Sequence, residues 1–362
     1  HRLNKHLLKH LPITVCIPKS EDAQVGELDG VSIHAFTPPW SRKWRSVYGA
    51  GLVENIKSNP FLILELPFLI FGFVIAARKI GIKGSILHAN WILAGFAGWI
   101  LKIFTGMQFF LTLRGSDVRI MRLVIARVLS LPVLKAASKV ICVSEALRAE
   151  MINLFPSLSA KFVVIHNGVD SVESFSLADS KDPAKSLIAI GSVIERKNTI
   201  QLVRVLAELS DTSVILKVVG SLDDHRYVEQ VRMEIDRLKL SSRVLLYGVV
   251  APDKIFSELQ GASLFVSASK YEGRPNAVLE AISVGVPVVL SPIPPHLELV
   301  EDGVNGASAD FEDPKSAARL IDSLLTDPEL RARAKAYGAK VSKMFSWENC
   351  ASQYIREFNI VQ

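Results

Sequence analysis

Short apolar runs alternate along the whole chain with stretches of helical periodicity, and this alternation limits the possible folds more than any other feature. The runs lie at 13–17, 85–89, 109–113, 140–143 and 162–165 in the first half, and at 187–190, 214–219, 244–247, 264–267 and 287–290 in the second. They are rich in Val, Ile and Leu without strict two-residue alternation, as in strands covered on both faces. Strand followed by helix, repeated, implies mostly parallel sheets with helices on their faces. At 362 residues the chain exceeds one ordinary core, so two such domains are expected. Hydrophobic residues at 49% against 22% charged exclude a solvated, disordered chain.

The break falls after His166-Asn167-Gly168-Val169-Asp170, where Asn-Gly marks a turn. The polar stretch 171–186, rich in Ser, Asp and Lys, reads as a linker. The expected division is a Rossmann-like domain over 1–170, a second over 171–345, and a helix over 346–362 packing back toward the first. Two such halves imply a cleft, and open parallel sheets bind ligands beyond the carboxyl ends of their strands. Residues 2–10 resemble the end of a first helix and 11–17 a second strand. The first strand of a doubly wound domain, with its glycine turn, is therefore expected to be missing from this sequence.

The densest group of polar residues runs from Tyr271 to Glu280 after the apolar run 264–267. Pro275 suits the first helical position, where a missing N–H costs nothing. Glu272 then lies in the loop ahead of the helix and Glu280 more than one turn inside it. A helix N-terminus suits a phosphate, and flanking carboxylates accept hydrogen bonds from sugar hydroxyls. Taken alone, the two glutamates read equally well as a solvated loop residue and an ordinary helix residue. A second group, Gly191 to Asn198, follows the run 187–190. Gly191 permits close backbone approach, and Arg196 and Lys197 can neutralise two phosphate groups. Two cations at the positive end of a helix are unfavourable without an anion to meet them. Gly220 is a further glycine at the end of a strand.

Together these segments resemble glycosyltransferase family 4, retaining enzymes of the GT-B fold with two Rossmann-like domains facing across a cleft. Glu272 and Glu280 match the family's paired glutamates with seven residues between them, and Arg196 and Lys197 its phosphate-binding basic pair. Asn167-Gly168-Val169-Asp170 matches its interdomain motif, and Val143-Ser144-Glu145 a further one. Leu87-His88-Ala89-Asn90-Trp91 and Leu113-Arg114-Gly115-Ser116-Asp117 resemble two motifs of the first domain. Asp302-Gly303-Val304-Asn305-Gly306 and Phe345-Ser346-Trp347 match further downstream. The resemblance implies that Arg196 and Lys197 hold the donor diphosphate, that Glu272 binds the transferred sugar and that Glu280 binds the ribose. Gly191, Gly220, Gly273, Arg274, Pro275 and Asn276 would complete the donor site, with Glu272, Arg196 and Lys197 contributing to catalysis. His88, Trp91, Arg114 and Asp117 are candidates on the acceptor side, although a histidine at a strand end is more often structural. Arg114 stands where many members carry a histidine, and Asn90 replaces a second one. Ser291-Pro292-Ile293-Pro294-Pro295-His296 stands where many members have a paired glycine. No covalent nucleophile, metal or cofactor is implied, and the chain has no Asp-x-Asp motif.

Residues 1–170 carry 20 Lys and Arg against 10 Asp and Glu, whereas 171–362 carry 22 against 26. The first half is thus suited to an anionic partner. No nucleic-acid motif is present, so a nucleic acid is not expected, and an anionic membrane or a phosphate-bearing acceptor fits better. The most apolar stretch, 61–77, is interrupted by Glu65 and Pro67, which leaves less than the ~20 residues of a spanning helix. It reads as a buried or interfacial helix. The mixed aromatic and basic segment Trp40, Arg42, Lys43, Trp44 and Arg45, with Lys57, Arg78, Lys79 and Lys83, suits a membrane surface. No signal peptide is visible, and the three sparse cysteines, Cys16, Cys142 and Cys350, suit a reducing compartment. The expected protein is cytoplasmic, peripheral on the membrane, and moves a hexose from a UDP- or GDP-sugar to a saccharide or lipid-linked acceptor in polysaccharide or glycolipid synthesis. Two alternatives stay open: a nucleotide-sugar epimerase of the same fold, and a catalytically impaired binding or scaffold module.

Overall fold

The computed structural model describes residues 2–19, 25–37, 44, 55–56, 59–80, 84–170 and 185–358. The chain forms two units, one of His1–Gly168 with Trp347–Gln362, the other of Val169–Ser346. The linker stretch 171–184 and most of the basic aromatic segment (residues 40–43 and 45), with Lys57 and Lys83, lie outside the described residues.

In the first unit a short helix α1 (Arg2–Leu7) leads into strand β1 (Thr14–Pro18). Strands β2 (Gly26–Leu28) and β3 (Val31–Phe36) form a hairpin, and β1 pairs with β3 in parallel. A 3-10 turn (Pro60–Glu65) runs straight into α2 (Leu66–Ile80). The rest alternates as read from the sequence: β4 (Leu87–Asn90), α3 (Ile92–Thr105), β5 (Phe109–Leu113), α4 (Ser116–Met121), α5 (Val124–Ala136), β6 (Lys139–Cys142), α6 (Glu145–Leu154) and β7 (Phe162–Val164). β4 to β7 form a four-stranded parallel sheet in chain order. Its strands are covered on both faces. Phe109, Leu111 and Leu113 enter one apolar cluster, while Phe110 meets Leu7 and, from the last helix of the chain, Tyr354, Ile355 and Phe358.

The second unit is built from β8 (Ser186–Ile190), α7 (Thr199–Glu208), β9 (Ile215–Val219), α8 (His225–Arg237), β10 (Val244–Gly248), α9 (Pro252–Gln260), β11 (Leu264–Ser267), α10 (Asn276–Ser283), β12 (Val288–Leu290), α11 (Pro294–Leu297), β13 (Gly306–Ser308), α12 (Pro314–Leu325) and α13 (Leu330–Met344). Its six strands are parallel in the order β10-β9-β8-β11-β12-β13. Leu187 and Ala189 face the cluster with α7, α8 and α12, and Ile188 faces the cluster with α9, α10 and α13. The winding direction reverses between β8 and β11, which places a switch point there. The final helix, α14 (Trp347–Glu357), belongs to the first unit and packs on α1.

Three differences from the sequence reading have local causes. The β2–β3 hairpin and β13 are too short or too polar to stand out as apolar runs. Pro275 caps α10 rather than opening it, because its ψ of 82° lies outside the helical region and the helix begins at Asn276. The apolar helix runs unbroken over Pro60–Ile80, since Pro67 sits in its first α-helical turn and displaces no hydrogen bond there.

Candidate functional site

The loops that follow β8 and β11 meet at the switch point of the second unit. Gly191 (φ 146°), after β8, and Gly220 (φ 153°), after β9, let these two neighbouring strand ends lie directly against each other. A Cβ on Gly220 would lie 2.1 Å from the Gly191 carbonyl oxygen, and one on Gly191 would lie 3.0 Å from Lys197 Cε. Only bare backbone fits at either position. A single 3-10 turn (Glu195–Lys197) ends at Asn198 in the left-handed region, and α7 starts from there. Asn198 and Gln201 are held by hydrogen bonds to the two oxygens of Glu312.

Arg196 and Lys197 both turn to Glu272, which is buried in the loop after β11. Lys197 Nζ donates to Glu272 Oε1 at 2.6 Å, and Arg196 Nη1 donates to Oε2 at 3.0 Å and to the Tyr271 carbonyl at 2.9 Å. Ser269 Oγ adds a third hydrogen bond to the carboxylate at 2.8 Å. The Lys270 amide donates to the Arg196 carbonyl, so the two loops are tied through the backbone as well. Burial works to raise the pKa of Glu272. The charges of Lys197 and Arg196, with hydrogen bonds from Lys197 and Ser269, outweigh it and hold the pKa below its ordinary value. The result is an ionised carboxylate beneath two cations that keep 29% and 22% of their side chains open to solvent.

A polar chain continues behind Glu272. Ser291 Oγ donates to the Ser269 carbonyl at 2.6 Å and lies 3.1 Å from His296 Nδ1. His296 is fully buried, and its pKa is lowered to about 4 by burial, so its ring is neutral at pH 7. Its Nε2 has no hydrogen-bond partner among the described residues. The sequence reading singled out 291–296 only as a departure from the family pattern. A histidine packed inside an apolar, proline-rich stretch was the available signal, but its link to Glu272 runs through Ser269 and Ser291 and exists only in three dimensions.

The remaining donor-side residues sit around the same loops. Gly273 and Pro275 are buried, Asn276 opens α10, and Glu280 is half-buried on its second turn. The Arg274 side chain is 1% exposed. It lies over the Phe345 ring and 3.6 Å from Glu298. Burial lowers its pKa to about 10, and its Nε and Nη2 have no partner among the described residues. Its guanidinium is thus packed inward, away from solvent.

In the first unit, the carboxyl ends of β4, β5 and β7 bring three polar side chains together. Arg114 donates to Asn90 at 2.6 Å and to Asn167 at 2.9 Å. Trp91 takes a φ of 86° at the end of β4, an unusual conformation for a bulky residue, and its ring joins the packing between α2, α3 and α4. His88 Nε2 is 2.7 Å from Thr112 Oγ1, which is 3.1 Å from the Tyr354 hydroxyl. Burial, and then the charge of Arg114, lower the His88 pKa to about 3. Asp117 is fully buried and accepts from the amides of Arg114, Gly115 and Val118. Burial raises its pKa to about 6 against those bonds. His88 and Asp117 thus brace the strand ends, while Arg114 and Asn90 present polar atoms at them. Among the described residues, no three His, Cys, Asp or Glu side chains group as metal ligands.

Two parallel α/β units, the second with a basic pair and a carboxylate at its switch point, define a two-domain protein of the GT-B class. The family model Glycosyltransferase Family 4 matches residues 27–173, and Glycosyl transferases group 1 matches residues 173–341. The chain belongs to glycosyltransferase family 4, and glycosyl transfer is the activity that this membership supports. It is similar to an uncharacterized glycosyltransferase of Methanocaldococcus jannaschii, 26% identical over 79% of this chain and 78% of that one. A GDP-mannose:cellobiosyl-diphosphopolyprenol alpha-mannosyltransferase of Xanthomonas oryzae is 26% identical over 54% of this chain, and the match spans about half of that enzyme, 52%. Among solved structures, sucrose-phosphate synthase from Thermosynechococcus elongatus superposes with a TM-score of 0.80 over 99% of this chain and 91% of that one, at 19% identity.

Proposed function

We propose that this protein is a retaining hexosyltransferase that uses a UDP- or GDP-sugar and requires no bound metal. The observation that carries this reading is the convergence of Arg196 and Lys197 on buried Glu272 at the switch point of the second unit. A lysine ammonium has three donors and a guanidinium five, so each can serve Glu272 and a phosphate oxygen together. In this reading the two cations bind the donor diphosphate, Glu272 takes hydroxyls of the sugar, and Glu280 takes the ribose. The bond from the anomeric carbon to the β-phosphate oxygen breaks, and the acceptor oxygen bonds to that carbon on the same face. The acceptor's proton passes to the departing phosphate. The protein's part is positioning and stabilisation of the leaving charge.

The acceptor is proposed to be a saccharide or a lipid-linked saccharide, met at an anionic membrane. Support comes from the apolar surface of the first unit. Pro60–Ile80 is long and apolar enough to cross a membrane, with a mean hydropathy of 2.3. However, Leu69, Val74, Ala76 and Ala77 are buried in the unit, which favours a helix lying along a surface over one spanning it. Phe61, Leu64, Phe68 and Phe71 are exposed on it, and Leu123, Val124, Ile125 and Val128 on the start of α5.

The test is to incubate the protein with a panel of sugar nucleotides and membrane extract, without divalent cation, and to measure free UDP and GDP. The expected result is release of one nucleoside diphosphate, dependent on extract. Binding without turnover would indicate a scaffold module, and interconversion of the free sugar nucleotide an epimerase; either outcome sinks the transferase reading.

A further inference from the structure

An ionised carboxylate offers about four acceptor positions, two on each oxygen. On Glu272 the protein itself fills three. Oε1 accepts from Lys197 Nζ at 2.6 Å and from Ser269 Oγ at 2.8 Å, and Oε2 accepts from Arg196 Nη1 at 3.0 Å. Oε1 is therefore complete, and Oε2 keeps one position. The Glu272 side chain is 8% exposed, in keeping with a single acceptor position within reach of a ligand.

The hydroxyl that completes Oε1 is held from behind, and the hydrogen-bond network assigns each proton of its support. His296 Nδ1 lies 3.0 Å from the Ser291 carbonyl, which only accepts, so Nδ1 carries the ring proton. Ser291 Oγ gives its own proton to the Ser269 carbonyl at 2.6 Å, and so stands as an acceptor toward His296 Nδ1 at 3.1 Å. Ser269 Oγ gives its proton to Glu272, which makes Ser267 Oγ, 3.2 Å away, the donor of that pair. Ser269, Ser291 and His296 are all buried, so bulk water does not compete for these bonds. Pro294 and Pro295 open the short helix that carries His296 and fix the backbone φ ahead of it.

We infer that Ser269, positioned by Ser291 and His296, restricts Glu272 to one hydroxyl of the donor sugar, read through Oε2, and thereby sets which sugar is accepted. The role rests on the donor-site reading proposed above and narrows it. A carboxylate open on both oxygens spans two neighbouring hydroxyls. With Oε1 filled, one hydroxyl carries the discrimination, and a sugar lacking it leaves a buried acceptor without its partner. Ser291 and His296 hydrogen-bond to neither oxygen of Glu272. They are positioning residues that act through Ser269.

Isothermal titration resolves this, with UDP, GDP, the tightest-binding sugar nucleotide and the monodeoxy analogues of that sugar nucleotide, arranged as double-mutant cycles. In Glu272→Gln the amide oxygen meets Lys197 and Ser269, so the NH2 group takes the place of Oε2 and cannot accept. In the wild type, removal of one hydroxyl is expected to weaken binding about tenfold to a hundredfold. In Glu272→Gln the same removal should cost less than about twofold, and the other positions should cost the same in both proteins. Ser269→Ala opens Oε1 and lets the carboxylate meet the sugar through either oxygen. The penalty at the read position is then expected to fall at least about fivefold, while affinity for the bare nucleoside diphosphate stays within about twofold. His296→Leu is expected to act in the same way. His296→Asn, whose amide nitrogen can take the place of Nδ1, should restore the wild-type penalty. If His296→Leu instead weakens the bare nucleoside diphosphate in step with the sugar nucleotide, its role is structural only and the inference is overturned. Two deoxy positions coupled to Glu272 in the wild type, or an undiminished penalty in Ser269→Ala, overturn it as well. A wild-type chain that binds neither UDP nor GDP marks the different failure, that of the donor-site reading itself.

Discussion

Glu272 accepts from Arg196, Lys197 and Ser269, and Lys197 is proposed to serve a phosphate besides Glu272, which sets what substitution should do. Lys197→Ala removes a charge-assisted contact of about 1.5–3 kcal/mol, so UDP or GDP affinity should fall about tenfold to a hundredfold. Isothermal titration of both nucleotides would show it, and unchanged affinity would rule out the phosphate role. Glu272→Ala is a less clean probe, because it leaves two half-buried cations side by side. Glu272→Gln keeps the volume and is expected to lower turnover by at least about tenfold while the melting temperature drops only a few degrees. His296 makes a pH prediction. Its folded pKa of about 4 lies below the ordinary 6.5, so the unfolded chain binds more protons between those values. Its contribution to stability is full above pH 6.5 and is lost as pH falls toward 4, amounting to about 2 kcal/mol at pH 5. His296→Gln should flatten the fall in melting temperature between pH 7 and pH 5; an unaltered slope would exclude the buried neutral ring as its source.

At the scale of elements, the site depends on two strand ends coming together without side chains. Gly220→Ala places a methyl group against the Gly191 carbonyl, a backbone atom that cannot rotate away. The expected cost is about 1–3 kcal/mol, as for other overpacked positions, with a parallel loss of nucleotide binding because Lys197 is anchored by the same loop. Differential scanning calorimetry with and without UDP would register both effects. Much of this arrangement was legible in advance. The apolar runs located ten of the thirteen strands among the described residues, because strands covered on both faces need no polar alternation. The β2–β3 hairpin and β13 escaped because Gly26–Leu28 and Gly306–Ser308 are small or polar and Val31–Phe36 interleaves Ser and His with its apolar residues, so none stands out as an apolar run.

For the whole molecule, the exposed apolar surface of the first unit is the feature with the clearest consequence. Isolated exposed hydrophobics are ordinary, but Phe61, Leu64, Phe68 and Phe71 on the helical stretch Pro60–Ile80 and Leu123, Val124, Ile125 and Val128 at the start of α5 are the surface on which the proposed membrane contact rests. The protein should float with vesicles containing phosphatidylglycerol and not with neutral ones, given the excess of Lys and Arg in residues 1–170. Replacing Phe61, Leu64, Phe68 and Phe71 together by Ser should reduce partitioning by more than about tenfold while nucleotide binding is kept. Flotation that survives this change would place the contact elsewhere.

The order of elements and the family were readable from the amino-acid sequence, because each depends on local pattern or on spacing along the chain, and the same spacing singled out the basic pair and the paired glutamates proposed as the donor site. Tertiary structure alone decided that Arg196 and Lys197 hold a buried carboxylate, that Arg274 turns inward over Phe345, and that His296 stands behind Glu272 through Ser269 and Ser291. Burial and the pairing of distant side chains depend on how strands lie side by side, and that adjacency is not written into spacing along the chain.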